Sequence, residues 1–218
     1  MTQMVLKDNS YREKWQFAWQ STVFKRSFIA GSILLITLLS FFPFFFQLIE
    51  RRNGIVLNDW LLNRIPARDV SSFIFIILGA AVITIIVRGV QNPDLLIQLI
   101  WASVLIYLLR TITLTLVALN PPVNLIPLDD TLSNLFYGKI SVTKDLFFSG
   151  HTASIFLLSL LLRKKTDKLI ALIATVVMII LLLIQHVHYT IDILGAIFFS
   201  YLTYLPIKKF VPQVEGRL

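Results

Sequence analysis

The chain has 218 residues, no cysteine and a formal net charge of +8, and 56% of its residues are hydrophobic but only 15% charged. A soluble domain is nearer a quarter charged, so this composition excludes a water-soluble protein and leaves room for one helical bundle in a membrane. The absence of cysteine excludes disulfides, thiolate metal sites and cysteine nucleophiles.

The first 26 residues are polar or aromatic without an apolar core, so we predict a cytoplasmic N-terminal segment rather than a signal peptide. Apolar segments suited to crossing the roughly 30 Å hydrocarbon core follow. They lie at 27–49, 70–88, 95–118, 147–162, 168–187 and 189–207. We therefore predict an all-α, polytopic six-helix membrane domain over residues 27–207, with residues 208–218 as a cytoplasmic tail.

The basic residues flank the predicted helices, a pattern that favours contact with lipid head groups over binding of nucleic acid. Thirteen of them fall on the side that carries both termini. Six fall on the opposite side: Arg51, Arg52, Arg64, Arg68, Lys139 and Lys144. The positive-inside rule then predicts that both termini are cytoplasmic, which agrees with six crossings.

All three histidines lie near helix ends on the predicted non-cytoplasmic side. Ser149 and Gly150 supply a capping hydroxyl and an accessible backbone before the fourth helix, whose N-terminus suits a phosphate and whose first turn carries His151. His188 and Asp192 are four residues apart, so they share a helix face, and the carboxylate can fix the imidazole tautomer. One histidine to attack phosphorus, one to protonate the leaving oxygen and an orienting carboxylate make a complete phosphoryl-transfer set.

Two motifs carry a family resemblance. Segment 147–152 reads Phe-Phe-Ser-Gly-His-Thr, and segment 186–192 reads His-Val-His-Tyr-Thr-Ile-Asp. Together they resemble the sphingomyelin synthase family, a branch of the phosphatidate phosphatase type 2 superfamily of membrane lipid phosphatases and phosphotransferases. The Arg-Thr-Ile-Thr sequence at 110–113 is similar to the family's Arg-x-x-Thr element, and 66–69 to its Pro-rich first motif.

The resemblance implies a six-helix bundle with its active site on the exoplasmic face. It implies His188 as the nucleophile that forms a phosphohistidine, Asp192 as its orienting group and His151 as the acid for the leaving group. In such a synthase a phospho-head group passes from a glycerophospholipid to ceramide, without cofactor or metal. With water as acceptor the same site would be a lipid phosphatase or phospholipase.

The sequence departs from the wider superfamily at the usual phosphate-clamping cations. Leu181 and Leu182 stand where the superfamily has a Ser-Arg pair, and the Lys-x6-Arg-Pro motif is absent. The sphingomyelin synthase branch shares both absences. Arg110 is the natural substitute, because a buried guanidinium can bind two phosphate oxygens at once. Its alternative role is that of a structural partner for a carboxylate such as Asp192.

Other residues near the motifs are weaker candidates for contact with substrate. Lys144 and Asp145 precede the first motif, and solvated loop charges are the alternative. His186 and Tyr189 flank His188 and are included among the phosphate-binding candidates, with packing as the alternative for His186.

The acidic pair Asp129 and Asp130 has no third ligand nearby, so we expect loop charges there and a metal-independent reaction. The expected partners are membrane phospholipids and a lipid alcohol acceptor, and the sequence leaves the oligomeric state open. A transporter, which should show symmetry between its halves, and a catalytically silent lipid-binding protein are the non-enzyme alternatives.

Overall fold

A computed structural model of the chain describes residues 2–128 and 142–211, and residues 2–10 by their backbone alone. The described residues form α-helices, one short 3-10 turn and no β-strand. The helices are α1 (Thr2–Gln20), α2 (Thr22–Arg51), α3 (Ser71–Gln91), α4 (Pro93–Leu116), α5 (Gly150–Leu161), α6 (Lys165–Ile184) and α7 (Thr190–Phe210). The predicted all-α class is confirmed.

Five of these helices, α2, α3, α4, α6 and α7, are long and apolar enough to cross a membrane. Their length and composition are consistent with an integral, multi-pass membrane protein. The apolar helix α5 has only 12 residues. At 1.5 Å per residue it spans about 18 Å, which is short of the hydrocarbon core. The fourth predicted segment, 147–162, is therefore helical only from Gly150.

Side-chain caps set two of the helix starts. The Ser21 hydroxyl accepts a hydrogen bond from the Phe24 N–H at 3.3 Å, so α2 begins five residues before the predicted apolar segment. The Asn92 side chain accepts from the Leu95 N–H at 3.0 Å, and Pro93 occupies the first turn of α4. Since only Asn92 separates α3 from α4, the two helices run antiparallel as neighbours.

Helix α4 lies at the centre of the bundle and packs against α2, α3, α5 and α7, while α5 also packs against α6 and α7. The C-terminal ends of α2, α4 and α6 and the N-terminal ends of α3, α5 and α7 lie at the same end of the bundle. We call this the loop end of the bundle, and its connections are 52–70, 117–149 and 185–189. The opposite, basic end contains α1, Asn92 and the connection 162–164.

Residues 142–149 run without helical structure before α5. Leu146 and Phe148 in this segment are almost fully buried, at 1% and 0% exposure, so non-helical backbone lies inside the bundle. Non-helical backbone inside a membrane bundle is stable only where protein groups satisfy its N–H and C=O groups. The residues that do so here are also those that build the candidate site.

Candidate active site

A tight turn between α6 and α7 positions the second histidine motif. The Val187 N–H donates to the Leu182 carbonyl at 3.1 Å, and the His186 N–H to the Leu183 carbonyl at 3.2 Å. His186 has a φ of 57°, so the turn has the pattern of a Schellman cap with the left-handed position occupied by histidine. The chain reverses within a few residues, and His188 lies in a bend two residues before α7. The prediction that His188 and Asp192 share a helix face is therefore wrong, although the two side chains are close.

The structure brings His151, His188 and Asp192 together at the loop end. The His188 Nδ1 lies 3.5 Å from the Asp192 Oδ2, which is an ion-pair separation and longer than a good hydrogen bond. The His151 and His188 ring centroids are 6.0 Å apart, with ring planes at 62°. The side chains of His188 and Asp192 are buried.

Three buried polar atoms of this group have no hydrogen-bond partner: His151 Nδ1, His188 Nδ1 and Asp192 Oδ1. Buried side-chain polar atoms are hydrogen-bonded in most cases, so three orphans in one place require an explanation. Catalytic hydrogen bonds are often long or incomplete until substrate binds. The site therefore has donor and acceptor capacity that its own packing does not use.

Asp192 also joins the starts of two helices. Its Oδ2 accepts from the Tyr189 N–H at 2.9 Å, which caps the first turn of α7. Its backbone carbonyl accepts from the Ser149 N–H at 3.1 Å. The Ser149 hydroxyl in turn accepts from the Thr152 N–H at 3.4 Å and caps α5. The backbone hydrogen bond between Ser149 and Asp192 thus links the two histidine motifs.

Arg110 is buried at 3% exposure beside the start of α5. Its guanidinium donates to the Phe148 carbonyl and forms an ion pair with Asp145. Of its two predicted roles, the structural one finds a carboxylate partner in Asp145 instead of Asp192. The guanidinium lies so close to Gly150 that a Cβ built there would be 2.5 Å from Nη1, so only glycine fits this position without displacement.

Thr113 lies one turn after Arg110 and also contacts the non-helical segment 142–149. Its hydroxyl donates to the Phe147 carbonyl at 3.1 Å. Arg110 and Thr113 therefore hold two consecutive carbonyl groups just before α5. This is a physical reason for an Arg-x-x-Thr element: both side chains point from one helix face toward non-helical backbone that has no other helix to pair with.

A cavity of about 220 Å³ adjoins this group. Its walls come from α2, α3, α4, α5 and the segment before α5. Arg110 and Asp145 are its charged lining residues, and His151 is the histidine that lines it. The remaining lining residues are Leu39, Phe42, Pro43, Phe46, Leu78, Tyr107, Gly150 and Ser154. His188 and Asp192 are not in the lining and lie behind His151. Arg110 is six residues before the end of α4, so the polar wall is about 9 Å inside that helix end.

Four of the predicted substrate-contacting residues lie outside this lining, and buried Ser149 is one of them. The Lys144 ammonium donates to the Arg52 carbonyl at 2.6 Å. The His186 ring nitrogens lie 3.0 Å and 2.8 Å from the carbonyl oxygens of Val123 and Ile65. These contacts hold loop-end connections together, in line with the packing alternative for His186.

Tyr189 has the same kind of position. Its hydroxyl donates to the Asn120 carbonyl at 3.0 Å and accepts from the Leu57 N–H at 3.2 Å. The ring is buried among residues of the loop-end connections. Tyr189 therefore joins the 52–70 and 117–149 connections to the start of α7.

Asp145 has a larger part in the site than its sequence position suggests. A solvated loop charge was one interpretation, but the structure pairs it with Arg110 in the cavity wall. The signal was the cost of a buried guanidinium in a membrane helix, which demands a nearby anion. Phe42, Phe46 and Tyr107, which line the cavity, had no sequence signal beyond being aromatic. The pair Asp129 and Asp130 lies outside the described residues. Among the side chains that the structure describes, in 11–128 and 142–211, no group of three His, Asp or Glu is placed to hold a metal ion.

A family model described as PAP2 superfamily C-terminal matches residues 144–209, which include His151, His188 and Asp192 but not Arg110. No curated protein and no solved structure matches the chain. Over this segment the match supports assignment to the phosphatidic acid phosphatase superfamily, whose members are lipid phosphatases and phosphotransferases.

Proposed function

We propose that the protein is a membrane lipid phosphotransferase of the sphingomyelin synthase type. It moves a phospho-head group from a glycerophospholipid to a lipid alcohol such as ceramide. The observation that carries the proposal is the group of two imidazoles and one carboxylate beside a largely apolar cavity that also contains Arg110. The superfamily match supports chemistry of this general kind on a lipid substrate.

The cavity suits the head-group phosphate of a lipid. Arg110 offers a guanidinium to phosphate oxygens, and Gly150 opens α5, whose first N–H groups favour an anion. The aromatic and aliphatic walls from α2 and α3 suit the apolar part of the same molecule. Because the polar wall lies about 9 Å inside the end of α4, a lipid reaches it without leaving the bilayer entirely.

In the first step of the proposed reaction, the head-group phosphate moves inward from the cavity past His151, and the His188 Nε2 lone pair attacks its phosphorus. The bond between phosphorus and the diacylglycerol oxygen breaks, and that oxygen takes a proton from His151. Asp192 holds the His188 Nδ1 proton once the 3.5 Å separation between the two groups has closed, and it stabilises the imidazolium-like charge that develops. The products are diacylglycerol and a head-group phosphate bound to His188.

In the second step the acceptor hydroxyl gives its proton to His151 and attacks the same phosphorus. The bond from phosphorus to His188 Nε2 breaks, and both histidines return to their starting states. With water as the acceptor, the same two steps would make a lipid phosphatase or a phospholipase C-type hydrolase. The identity of the acceptor is therefore the property that separates the two enzymes.

We also propose six membrane crossings, with the non-helical residues 142–149 and α5 together forming the fourth. Both termini are then cytoplasmic and the active site lies on the exoplasmic side. The excess of basic residues at the end opposite the site supports this orientation. A substrate-accessible, exoplasmic site predicts labelling of residues of the 52–70 connection by a membrane-impermeant reagent after substitution of single cysteines.

The test is a transfer assay with purified full-length protein. Fluorescent ceramide is supplied with phosphatidylcholine or phosphatidylethanolamine, and phosphatidate alone is supplied in parallel. A phospholipid product on ceramide supports the synthase. Free phosphate or diacylglycerol formed without ceramide indicates the hydrolase, and movement of labelled lipid without chemical change indicates a transporter.

Substitution of the two site histidines tests the mechanism in the same assay. His188→Ala and His151→Ala should each lower activity by several orders of magnitude while leaving membrane insertion intact. The control is Gly79→Ala, because a Cβ added at this position of α3 meets no neighbouring group within 4 Å. It should retain most of the activity. Normal turnover in either site variant would contradict the mechanism.

A further inference from the structure

A second cavity lies at the basic end of the bundle, opposite the candidate active site. Its volume is about 220 Å³, and it is formed where the α5–α6 connection meets α4, α6 and α7. Its polar lining consists of Gln98, Arg163, Lys168, Tyr204 and Lys208. Three leucines at the end of α5 supply the apolar part of the wall.

The cavity collects positive charge from separate elements. Arg163 comes from the α5–α6 connection, Lys168 from the beginning of α6 and Lys208 from the end of α7. No acidic side chain of the described residues contributes to its lining. Asp94 is fully buried and lies 3.5 Å from the Arg163 guanidinium, so it balances part of one charge of the three.

A buried amide adds neutral hydrogen-bonding capacity to this wall. Gln98 is 6% exposed and projects from α4 into the lining. A buried amide beside converging cations is suited to an anion with several oxygen acceptors, because donors can reach it from more than one direction. Basic residues that only determine membrane orientation need not line one cavity together. The grouping of Arg163, Lys168 and Lys208 around this cavity therefore requires a separate explanation.

We propose that this cavity binds the phosphate of an anionic phospholipid head group in the leaflet opposite the active site. The position at the helix ends is that of the head-group region, where basic residues attract anionic lipids. The leucines at the end of α5 give the lipid an apolar contact next to its phosphate. Since α5 carries His151 at its other end, an occupied cavity would hold in place the helix that carries a catalytic residue.

The experiment measures thermal unfolding of the purified full-length protein in a neutral detergent. Phosphatidylglycerol is titrated as the anionic probe, phosphatidylcholine as the zwitterionic one and inorganic phosphate as the soluble anion. The test variant is Lys168→Gln with Lys208→Gln, which leaves the contact between Arg163 and buried Asp94 in place. The matched control is Lys25→Gln with Arg26→Gln, which removes the same charge from exposed positions at the start of α2.

Phosphatidylglycerol should raise the unfolding temperature of the wild type at lower concentration than phosphatidylcholine does. The test variant should need at least tenfold more of it for the same shift, and the control variant less than twofold more. Equal weakening in both variants, or an equal response to phosphatidylcholine, would overturn the proposal. An equal response to inorganic phosphate would support the phosphate site and overturn the lipid as its source.

Discussion

Gly150→Ala is the most informative single substitution, because it adds one methyl group directly against Arg110. The ideal Cβ at this position would lie 2.5 Å from the Arg110 Nη1 and 2.7 Å from its Cζ, whereas ordinary contact begins at about 3.4 Å. The guanidinium must therefore retreat by about 1 Å. Its contacts with the Phe148 carbonyl and Asp145 oppose that movement.

The expected cost in activity follows from this displacement. A misplacement of about 1 Å at a substrate-positioning group can lower the rate by roughly 100-fold, which corresponds to about 2.7 kcal/mol of transition-state stabilisation. Alanine favours helix more than glycine does, so the start of α5 itself is not weakened. The loss should therefore appear in kcat/KM while the protein still inserts and folds.

The assay is the ceramide transfer reaction, and the chain supplies a matched control. Gly79 lies in α3 with no atom within 4 Å of an added Cβ, so Gly79→Ala should leave activity unchanged. If the effect passes through the guanidinium, Gly150→Ala should cost little further activity in an Arg110→Lys background. Activity of Gly150→Ala within about threefold of wild type would refute the positioning role of Arg110.

Three further predictions concern stability and chemistry around the site. Thr113→Val removes the donor to the partly buried Phe147 carbonyl and should lower the free energy of unfolding by about 0.5–1.5 kcal/mol, measured by denaturant titration. Asp192→Asn keeps an acceptor for the start of α7, so the unfolding temperature should hold while kcat falls by about 10³–10⁴-fold through loss of the His tautomer preference. Burial acts to raise the pKa of Asp59, but hydrogen bonds from Thr190 and backbone amides outweigh it and leave that pKa below its ordinary value. The stabilisation from this carboxylate is therefore complete above its unfolded pKa of about 3.9 and is lost as the pH falls through the lower folded pKa. The difference in unfolding temperature between wild type and Asp59→Asn should be constant from pH 7 to 5 and shrink below pH 4; a difference that grows at low pH would contradict this.

The sequence predicted the helical class and the places of the apolar helices, because hydropathy is a property of each segment alone. It did not predict the short length of α5. Leu146, Phe147 and Phe148 are as apolar as the residues of a membrane helix, so composition cannot show that they are not helical. Their conformation depends on Arg110 and Thr113, which are more than 30 residues away and become neighbours only in the fold.

His188 and Asp192 are close, but not as neighbours on one helix face, because His188 lies before α7. The convergence of the two histidine motifs itself was predictable from the topology. The directions of the neighbouring side chains were not. The turn after α6 directs His186 toward carbonyls of the two longer connections, and Tyr189 joins the same connections. Their orientation depends on the left-handed backbone at His186, for which the sequence offers no glycine as a signal.

The central claim is that His188 is a nucleophile in one site with His151 and Asp192. The most direct test is to mix the purified protein with phosphatidylcholine without an acceptor, quench the reaction rapidly and locate any head-group adduct by peptide fragmentation. We expect a phosphocholine group on the His188 imidazole of the wild type. This adduct should be absent in His188→Ala and should disappear from the wild type when ceramide is added. An adduct on His186 or His151, or transfer activity that proceeds in His188→Ala, would contradict it.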